Sequence, residues 1–267
     1  MILGKLYYTE VKNRGIIWSK TVERYALQRS ATMIRILAIG NSFSQNATEL
    51  LQLFDNDLFV RNLYIGGCNL KTHADNVTKD EKAYDYQENG TKCRAEKISV
   101  KEALTSEKWD YVTVQQSSGD SGITEYYYPY LGDLLAYVRK YTDAEIVFHQ
   151  TWAYETGSAH PQFVLYDNDR KKMYEGILKA SRYVAERENL RMIRCGEAVE
   201  KAREYRVFDS EKGGMDITAD GFHLAGYGKF LAAAMWLKFF TGKTPEFLNR
   251  EELSEPFDVI KSVLRQF

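Results

Sequence analysis

Long apolar runs, cysteine pairs and an excess of charge of either sign are all missing from this chain, and each absence removes a class of protein. The nearest thing to a membrane span, LAAAMWLKFF, is interrupted by Lys238 and falls short of the about 18 residues a crossing helix needs. Three cysteines, Cys68, Cys93 and Cys195, contain no CxxC pair, so neither a disulfide framework nor a zinc site is expected, and no other metal or cofactor. Lys and Arg number 36 against 37 Asp and Glu, a net charge of −1, which provides no field to attract nucleic acid or anionic lipid. Residues 1–32 lack the apolar core and small-residue cleavage site of a secretory signal, so the chain as written is expected in the cytoplasm, away from membranes. There is no repeat, linker or low-complexity tract, and nothing sets an oligomeric state.

What the chain does have is enough apolar material, 44% of 267 residues, to bury the core of one large α/β domain. Met33 directly precedes the first convincing strand, so residues 1–32 read as an N-terminal extension and residues 33–267 as the domain. Strand-length apolar runs fall at 33–40, 58–66, 109–116, 144–150 and 190–196. Helical spacing recurs at 48–54, 99–107, 129–141, 163–189 and 225–240, with a last helix near 251–265. Strands alternating with helices predict a three-layer α/β/α sandwich around a five-stranded parallel sheet. The polar segment around Asn89-Gly90 predicts a β-hairpin inserted between the second and third strands.

Open parallel sheets bind ligands at the carboxyl ends of their strands, so those ends are where chemistry is expected. They read Gly40-Asn41-Ser42-Phe43-Ser44, Gly66-Gly67-Cys68-Asn69, Gln115-Gln116-Ser117-Ser118-Gly119-Asp120 and His149-Gln150-Thr151-Trp152. A Ser at such an end usually turns the chain or caps a helix. Here Ser44 or Asn46 is the better cap for the helix at 48–54, which leaves Ser42 without a structural job. A serine nucleophile needs a base and a group to orient it. Of four histidines, His73, His149, His160 and His223, the last has the best setting: Asp220 lies three residues ahead, on a turn that opens an apolar helix. Cys68 reads as packing rather than a nucleophile, since no cationic neighbour in sequence favours a thiolate.

GNSFS, the Gly pair of IGGCNL, the polar amide segment after the third strand and DGFHL together resemble the four motif blocks of the SGNH, or GDSL-type, hydrolases. The HQTWAYE and WDYVTVQQSS wording is similar to a little-characterised branch of that superfamily. The blocks fit from about residue 33 to 242. The resemblance implies a flavodoxin-like sheet and a serine esterase in which Ser42 is the nucleophile, His223 the general base and Asp220 its partner. It also implies that the Ser42 and Gly67 amides donate to the oxyanion.

Two departures from the family pattern stand out. Asn41 replaces the usual Asp of Gly-Asp-Ser, and the block that should read Gly-x-Asn-Asp offers no Asn. Gln116 is expected to supply the missing amide donor, with Asn69 as the reserve. Gln115, His149, Trp152 and Tyr154, with Asn69, are expected to line the substrate site, because aromatic and polar strand-end loops suit a sugar-like ligand. The expected reaction is hydrolysis of a short acyl ester, such as O-acetyl on a carbohydrate or related small molecule. The alternative is a carbohydrate-binding protein on a weakened hydrolase scaffold.

Overall fold

In IRILAIG, strand β1 (Ile34–Gly40), apolar side chains alternate between two faces with the two-residue period of a strand. Ile36 and Ala38 enter one apolar cluster, Leu37 and Ile39 the other. A strand buried on both faces has to lie inside a sheet covered by helices on both sides. The computed structural model describes residues 33–267, which form such a sheet; the extension expected over residues 1–32 lies outside the described residues.

The strands that follow are β2 (Leu58–Tyr64), β3 (Asp85–Glu88), β4 (Thr91–Lys92), β5 (Tyr111–Val114), β6 (Glu145–His149) and β7 (Arg191–Ile193). They pair in the order β4-β3-β2-β1-β5-β6-β7. β2, β1, β5, β6 and β7 run parallel. The sheet is nevertheless seven-stranded and mixed rather than the five-stranded parallel sheet expected. Asn89 and Gly90 turn the chain at φ 50° and 73°, and β3 then pairs antiparallel with β2, setting Glu88–Asp85 against Arg61–Tyr64. The hairpin thus extends the sheet and covers an edge that would otherwise leave a row of backbone groups unpaired.

Helices α1 (Ser42–Thr48), α2 (Leu51–Phe54), α3 (Leu70–Lys79), α4 (Val100–Ser106), α5 (Tyr130–Tyr141), α6 (Arg170–Glu188), α7 (Cys195–Arg203), α8 (Gly226–Thr241) and α9 (Glu255–Leu264) flank it. Buried residues of α3, α4 and α5 fill one face of the sheet, and those of α1, α7, α8 and α9 fill the other. α8 buries every residue from Leu231 to Leu237, which explains its apolar sequence. Among the described residues, no helix is long and apolar enough to cross a membrane.

Local chemistry altered two of the expected helices and added one. The helix expected at 163–189 is broken, because Asp167 and Asn168 adopt left-handed backbone (φ 56° and 55°) after a 3-10 turn at Pro161–Tyr166. Asp169 then caps α6 through the Lys171 and Lys172 N–H groups. The helix expected at 48–54 starts earlier, at Ser42, and is split. α3 escaped the sequence reading although its buried residues Leu70, His73, Ala74 and Val77 have helical spacing, because a buried His reads as polar.

Gly90 is needed both for its positive φ and because a Cβ there would lie 3.0 Å from the Glu49 Cβ. Gly90→Ala is expected to lower stability by about 1 kcal/mol or more, read as a lower urea midpoint with unchanged slope.

Candidate active site

The site begins where β1 runs out. Asn41 keeps extended backbone (φ −133°) and caps α1, its side-chain oxygen accepting the Phe43 N–H at 2.9 Å. This corrects the expectation of a cap at Ser44 or Asn46. The helix follows the strand without a spacer, so the residue between them is the one whose side chain meets the first-turn amides. Ser44 instead donates to Gln115 Oε1 at 2.5 Å, and Asn46 is buried within α1. Asn41 makes two more bonds: its oxygen accepts from Gln115 Nε2 at 2.7 Å, and its nitrogen donates to the Cys68 carbonyl at 2.9 Å. One carboxamide therefore joins the ends of β1 and β5 to the Gly67-Cys68 turn after β2. Gly40 must be a glycine, since a Cβ there would overlap the Ser44 hydroxyl.

Ser42, the first residue of α1, meets His223 across the sheet end, with Oγ 2.8 Å from His223 Nε2. On the other side of the ring, His223 Nδ1 lies 2.7 Å from Asp220 Oδ2. Asp220 Oδ1 accepts the backbone N–H groups of His223 at 2.8 Å and Phe222 at 3.2 Å. Partial burial alone would raise the Asp220 carboxyl, but these bonds from His223 and Phe222 outweigh it and hold the group below its ordinary value. Asp220 therefore stays ionised and favours a proton on the Nδ1 that faces it, the tautomer in which Nε2 accepts from Ser42. His223 stays reachable from solvent, its side chain 33% exposed and that of Asp220 43%.

The turn that carries Asp220 and His223 is cradled by the segment after β6. Gly221, at φ 87°, packs against Ser158, and its carbonyl accepts the Glu155 N–H at 2.7 Å. Trp152 Nε1 donates to the Phe222 carbonyl at 2.8 Å while its ring stacks on Phe43 at 4.3 Å, so one side chain touches the neighbours of both Ser42 and His223. Beneath them Arg203, almost wholly buried, pairs with Glu155 at 2.8 Å and donates to the Ala153 carbonyl at 3.0 Å. Of this cradle the sequence singles out Trp152, but as a substrate contact rather than as a support.

The remaining sequence candidates divide. Gly67 has the positive φ (64°) that demands glycine, and its amide has no acceptor among the described residues. Gln116, expected to face an oxyanion, is committed elsewhere. Its oxygen accepts from the Leu70 and Ser117 N–H groups at 2.9 Å, and its nitrogen donates to the Tyr126 carbonyl at 3.0 Å. Asn69 caps α3 through its oxygen and spends one amide hydrogen on Asp120 Oδ2 at 3.1 Å, which leaves the second free. Gln115, His149, Trp152 and Tyr154, expected to contact substrate, are at most 1% exposed, because the loops after β5 and β6 fold over them. They support the site from below: His149 Nδ1 lies 3.1 Å from Gln115 Oε1, and the Tyr154 hydroxyl 2.9 Å from that of Ser118. Burial pushes the Cys68 thiol up to about 12, which keeps it from acting as a thiolate. Among the described residues, no cluster of three His, Cys, Asp or Glu could hold a metal ion.

Taken together, the fold and site define an α/β protein with a hydrogen-bonded Ser–His–Asp constellation at the carboxyl end of a parallel core sheet. The chain belongs to the family described as a domain of unknown function, DUF4886, whose model matches residues 35–249. It is similar to a DUF4886 protein of known structure from Bacteroides uniformis: 31% identity, TM-score 0.78, covering 88% of this chain and 94% of that one. A candidate SGNH hydrolase from Slackia heliotrinireducens shares the fold at 22% identity and TM-score 0.55, covering 78% of this chain and 99% of that one. So does a diltiazem-metabolizing enzyme of a gut microbe, at 15% identity and TM-score 0.51, covering 77% of this chain and 46% of that one. Among curated proteins nothing matches significantly.

Asn41→Ala removes a cap and two buried ties and is expected to cost about 2–3 kcal/mol in urea unfolding. A second expectation concerns acid. Burial lowers His149 to about 3, whereas the unfolded chain titrates near 6.5. As pH falls from about 6.5 the unfolded state gains a proton that the folded state refuses, so stability present above that pH is lost toward pH 3. His149→Gln is expected to flatten this loss by roughly 1 kcal/mol per pH unit, measured by urea unfolding between pH 6.5 and 4.

Proposed function

We propose that the protein is a serine esterase of the SGNH type that hydrolyses short-acyl esters, O-acetyl groups above all, on a carbohydrate or related polyhydroxy compound. The observation that carries this reading is the unbroken relay Asp220–His223–Ser42, with contacts of 2.7 and 2.8 Å. Ser42 Oγ attacks the ester carbonyl as His223 Nε2 takes its proton, and the ionised Asp220 stabilises the imidazolium. The oxyanion is held by the amide of Ser42, which has no helical acceptor in the first turn, and by that of Gly67. The free amide hydrogen of Asn69 supplies the third donor, since the Gln116 amide is engaged with backbone. His223 returns the proton to the leaving alcohol, and water then releases the acid from the acyl-enzyme by the same route in reverse.

Two features support a polar, hydroxylated alcohol. His223 and Asp220 are partly open to solvent, which suits a large hydrated leaving group. The side chains around them, Asn69, His160 and Phe222, mix donors with an aromatic face, as sugar recognition requires.

A fluorophosphonate probe tests the reading. The wild type is expected to be modified at Ser42 and to hydrolyse p-nitrophenyl acetate, whereas Ser42→Ala and His223→Ala lose labelling and about 10⁴-fold or more in kcat/KM. A wild type inert to probe and ester would sink the proposal in favour of a binding protein on a hydrolase scaffold.

A further inference from the structure

His160 has a structural job that uses only half of its ring. It caps the 3-10 turn Pro161–Tyr166, its Nδ1 accepting the Gln162 N–H at 3.3 Å. An accepting Nδ1 carries no proton, so in the neutral ring the proton sits on Nε2. That Nε2 has no partner among the described residues, yet it is not one of the buried unpartnered atoms and so remains open to solvent. Capping does not account for it.

The ring is held in place. It packs between Tyr154 and Phe222, with centroids at 4.5 and 4.8 Å, and Phe222 in turn lies 4.3 Å from His223. Two histidines thus flank one phenylalanine at the mouth of the site. From below, Gln162 donates to Asp120 Oδ1 at 2.7 Å, and Asp120 Oδ2 receives Asn69 at 3.1 Å, so the turn bearing His160 is tied to the segment bearing Gly67. Burial lowers the His160 pKa, and the neighbouring His223 acts in the same sense against an opposing pull from Asp220. At neutral pH the ring is an uncharged donor, suited to a hydroxyl rather than to an anion.

Building on the esterase reading, we propose that His160 is a specificity-determining residue whose Nε2–H donates to a free hydroxyl of the alcohol moiety beside the ester, so that the site selects esters of polyhydroxy compounds. His160 is separated from His223 by the Phe222 ring, with centroids at 4.8 and 4.3 Å, so it stands off from the carbonyl that Ser42 attacks, and the alcohol is the partner proposed for it.

The test compares two variants on two esters, p-nitrophenyl acetate and mono-O-acetylglucose. Asn keeps an acceptor at the cap but has no atom in the place of Nε2, whereas Gln carries an N–H near that place. The quantity read is kcat/KM for the sugar ester divided by kcat/KM for the aryl ester, which cancels damage common to both. His160→Asn is expected to lower this ratio roughly tenfold and His160→Gln to retain most of it. A ratio unchanged in His160→Asn, or lowered equally in both variants, overturns the assignment. A wild type inert to both esters overturns the esterase reading itself, and this assignment with it.

Discussion

Everything at the sheet end depends on one buried carboxamide. Asn41 is 2% exposed and spends its oxygen twice and its nitrogen once on groups from three different segments. Away from water such bonds are strong when made and costly when left unmade, so together they tolerate little movement of β1, β5 and the turn after β2 relative to one another. Ser42 inherits its position from that tie. The chemistry also suits Asn at this position rather than Asp: an ionised carboxylate could accept from Phe43 and Gln115 but could not donate to the Cys68 carbonyl.

A similar economy holds on the other side of the cleft. The turn carrying Asp220 and His223 is closed by its own bonds, among them the Ala219 N–H to the His223 carbonyl at 2.8 Å, and is held against its neighbours by the Glu155 N–H and the Trp152 indole. The buried pair of Arg203 with Glu155 would be a liability as an isolated feature, since desolvating two charges offsets most of their attraction. Here it ends in two further bonds, from Arg203 to the Ala153 carbonyl and from Ser210 to Glu155, which anchor the segment that cradles the turn.

How much of this was legible in sequence follows from where each cue resides. That Ser42 would meet His223 and Asp220 was implied by the resemblance of the motif blocks, whereas the pairing of Asp220 with His223 could be read because its cue is local, an Asp three residues before a His. The alternation of strands and helices was legible for the same reason, and so was the Asn89-Gly90 turn. That the hairpin would join the sheet was not, because strand partners are set by which edge is free. The buried ring of Trp152, the backbone commitment of Gln116 and the Arg203–Glu155 pair were equally hidden. Residue type says that a side chain can bond, stack or donate, but not whether a loop folds over it.

The three-residue spacing of Asp220 and His223 has a wider meaning. Asp220 and His223 ride on a single turn, closed by the Asp220 carboxylate on its own downstream amides, so they move as one body. Of the two contacts in the relay, only the one between His223 and Ser42 spans the molecule, 181 positions apart in the chain. The assembly therefore has a single long-range clearance to maintain. That makes the distance between the start of α1 and the loop before α8 the one on which the Ser42–His223 contact depends.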